Sequence, residues 1–199
     1  MFDYDGKSFG QRSNEQLDNH ASELKIFMNW FEEKINLPIY LIYGTLLGAK
    51  REGNFLKHDY DIDIAYLSKE TNINKIVEEK NWVLEELKKE DLLIKAFGCG
   101  HFHSYSFDKS LALDMWSSWI DEKDDYYAVS AYNAWVKKED VLPFTEIKLR
   151  NETFKAPKNI DKFLTVYYGN WKVPQLKWQQ STSFIGLPIS AKYERIFNE

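Results

Sequence analysis

Three aspartates on alternate residues, Asp59, Asp61 and Asp63, are the part of the sequence whose residue types and spacing point most directly to chemistry. In the segment DIDIAY, residues 61–66, acidic or small residues alternate with apolar ones, which predicts a strand with Asp61 and Asp63 on one face. Their Cα atoms would lie about 6.5 Å apart, so the carboxylates repel each other unless a cation lies between them. Oxygen-only ligands favour a hard cation such as Mg²⁺ or Mn²⁺.

A third carboxylate, Asp114, interrupts the apolar segment SLALDMW, residues 110–116. In the strand that this segment predicts, one face carries Leu111, Leu113 and Met115, and the other carries Ala112, Asp114 and Trp116. A lone buried carboxylate is costly, so Asp114 needs partners. If its strand lies beside that of Asp61 and Asp63, the three carboxylates meet and can bridge two metal ions about 3.5–4 Å apart, as in phosphoryl transfer.

A Gly-Thr turn precedes the acidic strand. The apolar segment PIYLIY, residues 38–43, predicts a strand buried on both faces, and Gly44-Thr45 then opens a short predicted helix, residues 46–51. Backbone N–H groups at a helix N-terminus suit phosphate oxygens, and glycine lets the backbone approach closely. Three basic residues that follow could pair with a phosphate: Lys50, Arg51 and Lys57. This order of strand, turn, helix and D-x-D strand is typical of nucleotidyltransferases.

The acidic segment also has two simpler interpretations. A D-x-D pair in a soluble chain is commonly a solvated surface pair. An EF-hand calcium loop would place Asp59, Asp61, Asp63 and Glu70 at its ligand positions, but Ile64 stands where the loop requires glycine. A β-branched residue resists the positive φ of that position, which argues against the calcium loop.

The single cysteine, Cys99, lies close to His101 and His103 in the segment FGCGHFH. A zinc site would need a fourth ligand and none lies nearby, so we expect an ordinary cysteine in a strand or turn. His101 and His103 would share one face of a strand, which leaves a pocket-lining role for one of them as an alternative. One cysteine excludes a disulfide within the chain and is typical of a cytosolic protein.

The whole sequence predicts a single α+β domain over residues 1–199, with a core of about residues 12–174 and an irregular C-terminal tail, residues 175–199. A long predicted helix follows a capping box at Ser13–Gln16 and is ended by Pro38. Two further helices are predicted at residues 73–87 and 160–168. Further strands are predicted at about residues 92–98, 101–107, 110–118 and 126–135. We expect a mixed sheet that carries the aspartates, with helices packed on its other side.

Composition and charge limit the classes of function. The net charge of −5 argues against a protein that grips nucleic acid, which would carry a basic stripe. The N-terminal segment MFDYDGKSFG lacks the apolar core of a signal peptide, and no segment approaches the ~20 apolar residues that span a bilayer. We therefore expect a cytoplasmic protein, peripheral to the inner face of the membrane if its substrate is membrane-linked.

The segment YGTLLGAKREGNFLKHDYDIDI, residues 43–64, resembles the signature of the LicD family, phosphotransferases that include bacterial phosphocholine transferases and are related to fukutin and fukutin-related protein. The matching positions are Gly44, Thr45, Leu46, Leu47, Gly48, Arg51, Gly53, Phe55, Leu56, Asp59, Asp61 and Asp63. LALDMW resembles the family's third-carboxylate strand, and YYGNWKVP, residues 167–174, resembles its terminal motif. Lys57-His58 replaces the usual Pro-Trp, Tyr60 replaces a third consecutive Asp, and Asn54 resembles an insertion.

The resemblance implies a nucleotidyltransferase-like domain that transfers a phospho-alcohol from CDP-choline, CDP-glycerol or CDP-ribitol to a hydroxyl of a glycan or glycolipid, such as lipopolysaccharide, teichoic acid or capsule. It implies Mg²⁺ or Mn²⁺ held by Asp61, Asp63 and Asp114, with Asp114 also serving as general base. The substrate-binding residues that it implies are Gly44, Thr45, Arg51, Lys57, His58, Asp59 and Trp116. The departures at Lys57-His58 leave the carboxylates intact and bear on how the donor's head group is held.

Two other functions remain open alongside this one. A nucleotidyltransferase could move a nucleoside monophosphate from ATP or CTP to a small molecule, and a non-catalytic glycan-binding module would need no carboxylate triad. An aromatic cage for choline could draw on Trp116, Trp119, Tyr126, Tyr127 and Trp135. We favour core and sugar-stacking roles for these aromatic residues. The sequence selects neither the head group nor the acceptor nor an oligomeric state.

Overall fold

A seven-stranded sheet lies at the centre of the computed structural model, which describes residues 6–97, 100–128 and 131–174 and, for residues 131–135, the backbone alone. The helices are α1 (Asn14–Ile35), α2 (Tyr43–Glu52), α3 (Ile73–Lys89), α4 (Lys138–Val141) and α5 (Ile160–Tyr168), preceded by a 3-10 turn at Phe9–Gln11. The strands are β1 (Ile39–Leu41), β2 (Ile62–Leu67), β3 (Leu93–Ala96), β4 (His101–Tyr105), β5 (Ala112–Ile120), β6 (Asp125–Ala128), β7 (Ala131–Lys137), β8 (Thr145–Leu149) and β9 (Glu152–Ala156).

The order of the strands places β2 beside β5. The sheet runs β1-β2-β5-β4-β3, with β6 also paired to β5 and β7 paired to β6. β2 and β5 are parallel, whereas the other pairs of this sheet are antiparallel. β8 and β9 form a separate antiparallel hairpin. This mixed sheet within an α+β architecture confirms the predicted fold class.

One face of β2 and β5 is apolar and covered by helices. Its fully buried residues include Ile62, Ile64, Leu113 and Met115. Tyr66 on this face packs on Phe31 of α1, with the ring centroids 5.7 Å apart. Farther along β5, Ile76 of α3 packs against Trp119. Each fully buried side chain of this size contributes about 1.5–3 kcal/mol, so this face anchors the sheet and leaves the opposite face, with its aspartates, for chemistry.

The first helix forms as the sequence predicts, except at its end. The Ser13 side chain accepts a hydrogen bond from the Gln16 N–H at 3.2 Å, and the Gln16 side chain accepts one from the Ser13 N–H at 2.9 Å. This reciprocal pair is the predicted capping box. The helix does not run to Pro38, because Asn36 adopts a left-handed conformation with φ 56° and closes it at Ile35.

Helix α2 begins earlier than predicted. The residue before it, Ile42, is extended with φ −137°, and the helix starts at Tyr43, so that Gly44 and Thr45 lie within its first turn. The strand predicted through residue 43 accordingly stops at Leu41. This shift brings the Gly-Thr pair onto the helix end that faces β2.

The region after β5 contains elements that the sequence pattern does not reveal. The single strand predicted at residues 126–135 is the hairpin of β6 and β7, and the hairpin of β8 and β9 is not predicted at all. Arg150 at the tip of the β8–β9 hairpin has φ 57° although it is not glycine, so the usual turn signal is missing. Its guanidinium donates to Asp18 of α1 at 2.9 Å, which ties the hairpin to the first helix.

Three expectations concern residues outside those that the structure describes. They are the environment of Cys99, the side chain of Trp135 and the irregular tail, residues 175–199. Within the described ranges, none of the helices has the length and apolar character needed to cross a membrane.

Candidate active site

The parallel pairing of β2 and β5 places two of the predicted ligands side by side. Asp63 and Asp114 are direct cross-strand partners, and both project from the face opposite the covering helices. Asp61 lies one residue before β2. The strand of Asp114 thus adjoins the acidic strand, which was the condition for the predicted site, whereas the metal-binding roles of the three carboxylates stay predictions.

The first turn of α2 holds Asp63 in place. The Gly44 N–H donates a hydrogen bond to Asp63 Oδ2 at 2.9 Å, and Thr45 Oγ1 accepts one from the Asp63 N–H at 2.8 Å. Ile42 at the start of the helix has no side chain that can cap it, so the carboxylate from β2 supplies the anion that a helix N-terminus favours. Gly44 and Thr45 thus position an acidic residue, and their predicted contact with a phosphate stays a prediction.

Glycine is required at position 44 because two carboxylates approach it. A Cβ atom there would lie 2.7 Å from Asp59 Oδ2 and 3.0 Å from Asp63 Oδ2. A contact of 2.7 Å is too short for a Cβ atom, so any side chain at position 44 would make the Asp59 carboxylate shift and would crowd that of Asp63. The missing side chain lets Asp59 and Asp63 converge on the end of α2.

The loop that carries Asp59 is tied to the N-terminal turn. The Asp59 carbonyl accepts a hydrogen bond from the Phe9 N–H at 2.9 Å, and the Lys57 carbonyl accepts one from the Gly10 N–H at 2.8 Å. Asp59 Oδ1 also accepts from the Tyr60 N–H at 3.1 Å. These bonds fix the backbone just before the acidic strand, and none of them uses the carboxylate of Asp61 or Asp63.

No cationic side chain in the described part of the chain pairs with Asp61 or with Asp63 of β2. Burial, the neighbouring charge of Asp63 and the hydrogen bond with Asp59 together raise the pKa of Asp61 to about 9. Burial and the charges of Asp59 and Asp114 hold the pKa of Asp63 well above its usual range, although the Gly44 N–H opposes this. The cluster therefore favours protons, or another cation, between its oxygens.

Asp114 has the opposite electrostatic environment. His103 Nε2 lies 2.9 Å from Asp114 Oδ1, and His101 Nε2 lies 3.5 Å from Asp114 Oδ2. Burial disfavours the charged carboxylate, but the interactions with the two imidazoles outweigh it and lower the pKa of Asp114 to about 2. Asp114 is thus ionised where Asp61 and Asp63 resist ionisation.

Trp116 forms a wall beside the carboxylates. Its indole stacks on the His101 imidazole, with centroids 3.9 Å apart and planes 6° from parallel, and meets Tyr43 edge to face at 5.3 Å. The buried Trp116 Nε1 has no well-aligned hydrogen bond to any described residue, yet it lies close enough to Asp63 to lower the pKa of that carboxyl. The Trp116 N–H therefore favours the ionised form of Asp63.

The other predicted substrate-binding residues lie apart from this cluster or on its rim. Arg51 is at the far end of α2, about 10 Å along the helix from Gly44, and donates to Glu52 Oε1 at 2.8 Å. Lys57 and His58 are exposed in the turn before β2. Among the described residues, no hydrogen bond or ion pair joins the side chain of any of the three to the aspartates, and their roles in binding a donor stay predictions.

The aromatic residues proposed for a choline cage do not converge. Trp119 and Tyr127 stack on each other at 5.1 Å and pack with Ile76 on the helix-covered face, opposite Trp116. Tyr126 is buried, and its hydroxyl bonds to that of Tyr40 at 2.6 Å. These positions support the core roles that we favoured and contradict a cage built from this set.

Four residues near the carboxylates were not assigned to the site from sequence: His101, His103, Tyr43 and Tyr168. Tyr43 adopts a positive φ of 42° where the chain turns from β1 into α2, a strained conformation for a bulky residue. Burial and the charges of Asp63 and Asp59 hold the pKa of Tyr168 well above its usual range, which places the end of α5 near the aspartates. The i, i+2 spacing of the two histidines indicates from sequence that they share one face of a strand. The sequence does not indicate that this strand, β4, pairs with β5.

Comparison with known proteins gives one strong relationship. Residues 36–159, more than half of the chain, match the family model described as LicD/FKTN/FKRP, nucleotidyltransferase domain. A search of curated proteins found no match.

Two solved structures are similar at low identity. The STING-associated CdnE c-di-GMP synthase from Capnocytophaga granulosa has a TM-score of 0.45 and 12% identity, over 79% of this chain and 50% of that one. ANT(2'')-Ia in complex with adenylyl-2''-tobramycin has a TM-score of 0.48 and 14% identity, over 89% of this chain and 95% of that one. The chain therefore spans half of the synthase and nearly all of ANT(2'')-Ia, and neither likeness is close enough to bear on its function.

Proposed function

The chain belongs to the LicD/FKTN/FKRP family, and from this premise we propose that it is a metal-dependent transferase of phospho-alcohols from a CDP-activated donor to a glycan hydroxyl. Membership of the family indicates a transferase that modifies glycans. We propose phosphocholine, glycerol phosphate and ribitol phosphate as the candidate groups that it transfers. Glycan precursors of lipopolysaccharide, teichoic acid or capsule are the acceptors that we would examine first.

The observation that carries the proposal is the convergence of unbalanced carboxylates. Asp61 and Asp63 resist ionisation because they are buried close to each other and to further acidic groups. Asp114 lies directly across from Asp63 on the neighbouring strand. A set of carboxylate oxygens fits a hard divalent ion, which would relieve this repulsion, so the residues present fit Mg²⁺ or Mn²⁺.

Each residue has a definite part in this proposal. Asp61, Asp63 and Asp114 would hold the metal, which when bound neutralises the charge of the donor diphosphate. Gly44 and Thr45 orient Asp63 through their hydrogen bonds to it. The two histidines lower the pKa of Asp114 to about 2 and so keep it ionised, which suits metal binding, and the general-base role that the resemblance implies stays a prediction.

The reaction that we propose is a displacement at phosphorus. The acceptor hydroxyl oxygen bonds to the phosphorus that bears the alcohol, the bond from that phosphorus to the bridging oxygen breaks, and CMP leaves with that oxygen. The hydroxyl proton passes to solvent. When water takes the place of the acceptor, the same site would hydrolyse the donor slowly.

Thermal stability and product mass test the proposal together. The protein is melted with Mg²⁺ and, in turn, CDP-choline, CDP-glycerol, CDP-ribitol, CTP and ATP. A ligand at a hundred times its Kd adds about 2.7 kcal/mol, which for a chain of this length raises the midpoint by roughly 5–10 °C. We expect a metal-dependent shift with one CDP-alcohol, accompanied by release of CMP.

The outcomes separate the three functions. An acceptor that gains the mass of a phospho-alcohol supports the proposal, whereas one that gains a nucleotide establishes nucleotidyl transfer instead. Binding of glycan without turnover of any donor would favour the non-catalytic module. Asp124→Asn is a matched control for variants of the site, because its side chain is 64% exposed and its φ of 60° suits asparagine.

A further inference from the structure

Two histidines and one aspartate form a compact cluster at the edge of the carboxylate site. His103 and Asp114 are direct cross-strand partners on the antiparallel strands β4 and β5, and His101 lies two residues before His103 on the same face of β4. One potential ligand atom from each of the three residues can be chosen so that all lie within 4.8 Å of one another. Carboxylate and imidazole groups thus face a common point.

The cluster is held by aromatic packing and remains accessible. Trp116 stacks on one face of His101, and Phe97 stacks on the same imidazole at 4.9 Å. Phe97 also contacts the His103 ring at 4.6 Å. The side chains of His101, His103 and Asp114 are 13–18% exposed, so the rings are fixed in orientation while an ion can still reach them. Fixed ring orientation is what an imidazole ligand needs.

We propose that His101, His103 and Asp114 bind a divalent transition-metal ion of the zinc class, at a site distinct from the all-carboxylate site but sharing Asp114 with it. Two imidazole nitrogens and one carboxylate oxygen, with an open fourth position, form the donor set typical of catalytic zinc. Mg²⁺ is a poor occupant because it prefers oxygen ligands and near-ideal octahedral geometry.

The geometry requires little rearrangement. Zinc-bound nitrogen and oxygen atoms lie about 2.0–2.2 Å from the ion, and therefore about 3.3–3.6 Å from one another in a tetrahedron. His103 Nε2 is already 2.9 Å from Asp114 Oδ1, and His101 Nε2 is 3.5 Å from Asp114 Oδ2. Because all three ligand atoms already lie within 4.8 Å of one another, side-chain rotations without a change of the strand backbones would bring them around one ion.

The competing explanation gives the histidines a positioning role alone, in which they hold Asp114 by hydrogen bonding and bind no metal. The two explanations differ in a direct measurement, because only the first predicts nitrogen–metal bonds. The inference deepens the proposed function, since Asp114 belongs to both sites, but metal binding to the imidazoles can be measured without any donor or acceptor.

Co²⁺ alone is the probe, titrated into the full chain and followed by its visible absorption. We expect the intense d–d bands of a low-coordinate Co²⁺ site, retained in Asp63→Asn and weakened at least about tenfold in apparent affinity by His101→Ala or His103→Ala. His58→Ala is the matched control for histidine loss, because His58 is exposed in the turn before β2, and it should bind Co²⁺ as the unaltered chain does. Excess Mg²⁺ should not displace the ion.

A second measurement needs no variant and guards against misfolding of the histidine variants. Electron paramagnetic resonance of the unaltered chain with one equivalent of Cu²⁺ should resolve superhyperfine coupling from two nitrogens. Absence of that coupling, or equal Co²⁺ affinity in the unaltered chain and in a folded double variant, would overturn the inference. Circular dichroism establishes that each variant is folded.

The inference and the proposed function fail in different ways. Co²⁺ binding through nitrogen without turnover of any CDP-alcohol would retain the metal site and remove the proposed transferase. Conversely, the unaltered chain could catalyse Mg²⁺-dependent transfer and yet bind Co²⁺ no better than the His101→Ala, His103→Ala double variant. That result would support the transferase and overturn the histidine metal site.

Discussion

The carboxylates of β2 and the carboxylate of β5 lie side by side and yet have opposite electrostatic environments. Asp61 has a pKa raised to about 9 by burial and by its acidic neighbours, whereas the two imidazoles beside Asp114 lower its pKa to about 2. Asp63 and Asp114 are direct partners across the parallel pair, so distance along the sheet does not explain the difference. The difference lies in what the next strand supplies.

The two strands differ in the side chains that their outer neighbours bring to the carboxylates. β5 has β4 beside it, and β4 brings His101 and His103 to Asp114. β2 has β1 on its other side, and the three residues of β1, Ile39–Leu41, are all apolar or aromatic and buried. On this side the Asp63 carboxylate receives neutral donors, the Gly44 N–H from the start of α2 and the nearby Trp116 N–H. A divalent ion on the β2 side would offset the repulsion among carboxylates that no histidine contacts there.

Loss of a carboxylate from β2 should have the largest effect. Asp63→Asn removes a predicted metal ligand and keeps the shape of the side chain, so we expect transfer to fall by about 10³-fold, the equivalent of several kcal/mol of transition-state stabilisation. Turnover of the donor identified by thermal shift measures this directly. The exposed Asp124→Asn should leave turnover unchanged, and more than a tenth of normal activity in Asp63→Asn would remove that residue from the metal site.

A side chain at position 44 should be nearly as damaging to activity. Gly44→Ala places a Cβ atom 2.7 Å from Asp59 Oδ2 and 3.0 Å from Asp63 Oδ2, so the carboxylates must separate. We expect a fall in kcat/KM of about 10²-fold, or roughly 2.7 kcal/mol, with a cost in stability of about 1–3 kcal/mol.

Gly48→Ala is the matched control for this clash. Its Cβ atom would lie 2.5 Å from the Asn54 carbonyl, on the same helix but away from the aspartates. Because this clash is with the backbone, Gly48→Ala should destabilise the fold at least as much as Gly44→Ala, while the affinity for Mg²⁺, measured by calorimetry on the folded protein, is retained. Equal loss of Mg²⁺ affinity in both variants would attribute the effect of Gly44→Ala to α2 as a whole.

The pH dependence of stability should differ between the two strands. The folded-state pKa of Asp61, about 9, lies above its unfolded value of about 4, so the folded protein retains a proton that the unfolded chain releases. The free energy of unfolding of the metal-free protein should therefore fall as pH rises from about 5 to 9, by at most about 1.4 kcal/mol per pH unit for one proton. The pKa of Asp114 is lowered instead, so its contribution to the free energy of unfolding has the opposite dependence on pH. That contribution is present above the unfolded pKa of about 4 and is lost as pH falls towards 2.

Urea denaturation at several pH values measures this slope. Saturating Mg²⁺ should remove it, because the bound ion favours the ionised carboxylates, and Asp61→Asn should reduce it in the metal-free protein. A metal-free stability that rises between pH 5 and 9 would contradict the electrostatic contrast between the strands.

The hydrogen bond from Asp63 to Thr45 should contribute less. Thr45 is 3% exposed, and its Oγ1 accepts the Asp63 N–H at 2.8 Å. Thr45→Val keeps the shape and leaves that N–H without its acceptor, which should cost about 1–3 kcal/mol of stability. Thr45→Ser keeps the hydroxyl and should recover most of the loss in a thermal melt. No recovery would mean that the methyl group, and not the hydroxyl, stabilises this turn.

Sequence reasoning predicts the aspartate side of this site better than the histidine side. Alternation along β2 and β5 correctly places Asp63 and Asp114 on the face away from the covering helices, because a strand's side-chain period is fixed. The contact of His103 with Asp114 depends on the register between β4 and β5, and a shift by one residue would turn every side chain to the other face.

The register of β4 and β5 is set by a loop that carries no glycine. Asp108 Oδ1 accepts hydrogen bonds from the Ser106 hydroxyl and the Ser110 N–H, and Lys109 adopts a φ of 61°. Local sequence patterns do not identify such a turn, since the left-handed residue is a lysine. The start of α2 was misplaced for a related reason, because Asp63 caps that helix from a distant strand rather than from the preceding residue.

Arg51 should have the smallest effect, although it is the arginine of the family motif. It lies at the far end of α2 and pairs with Glu52 at 2.8 Å, so it does not supply the cation that the β2 carboxylates lack. Arg51→Ala should therefore leave the affinity for Mg²⁺ unchanged and cost about 1 kcal/mol of stability, mainly through lost packing, because its side chain is only 15% exposed. Calorimetry with Mg²⁺ and a thermal melt measure both quantities. A Mg²⁺ affinity lowered tenfold would mean that Arg51 reaches the carboxylates in solution, and the charge contrast between β2 and β5 would then be smaller than this structure indicates.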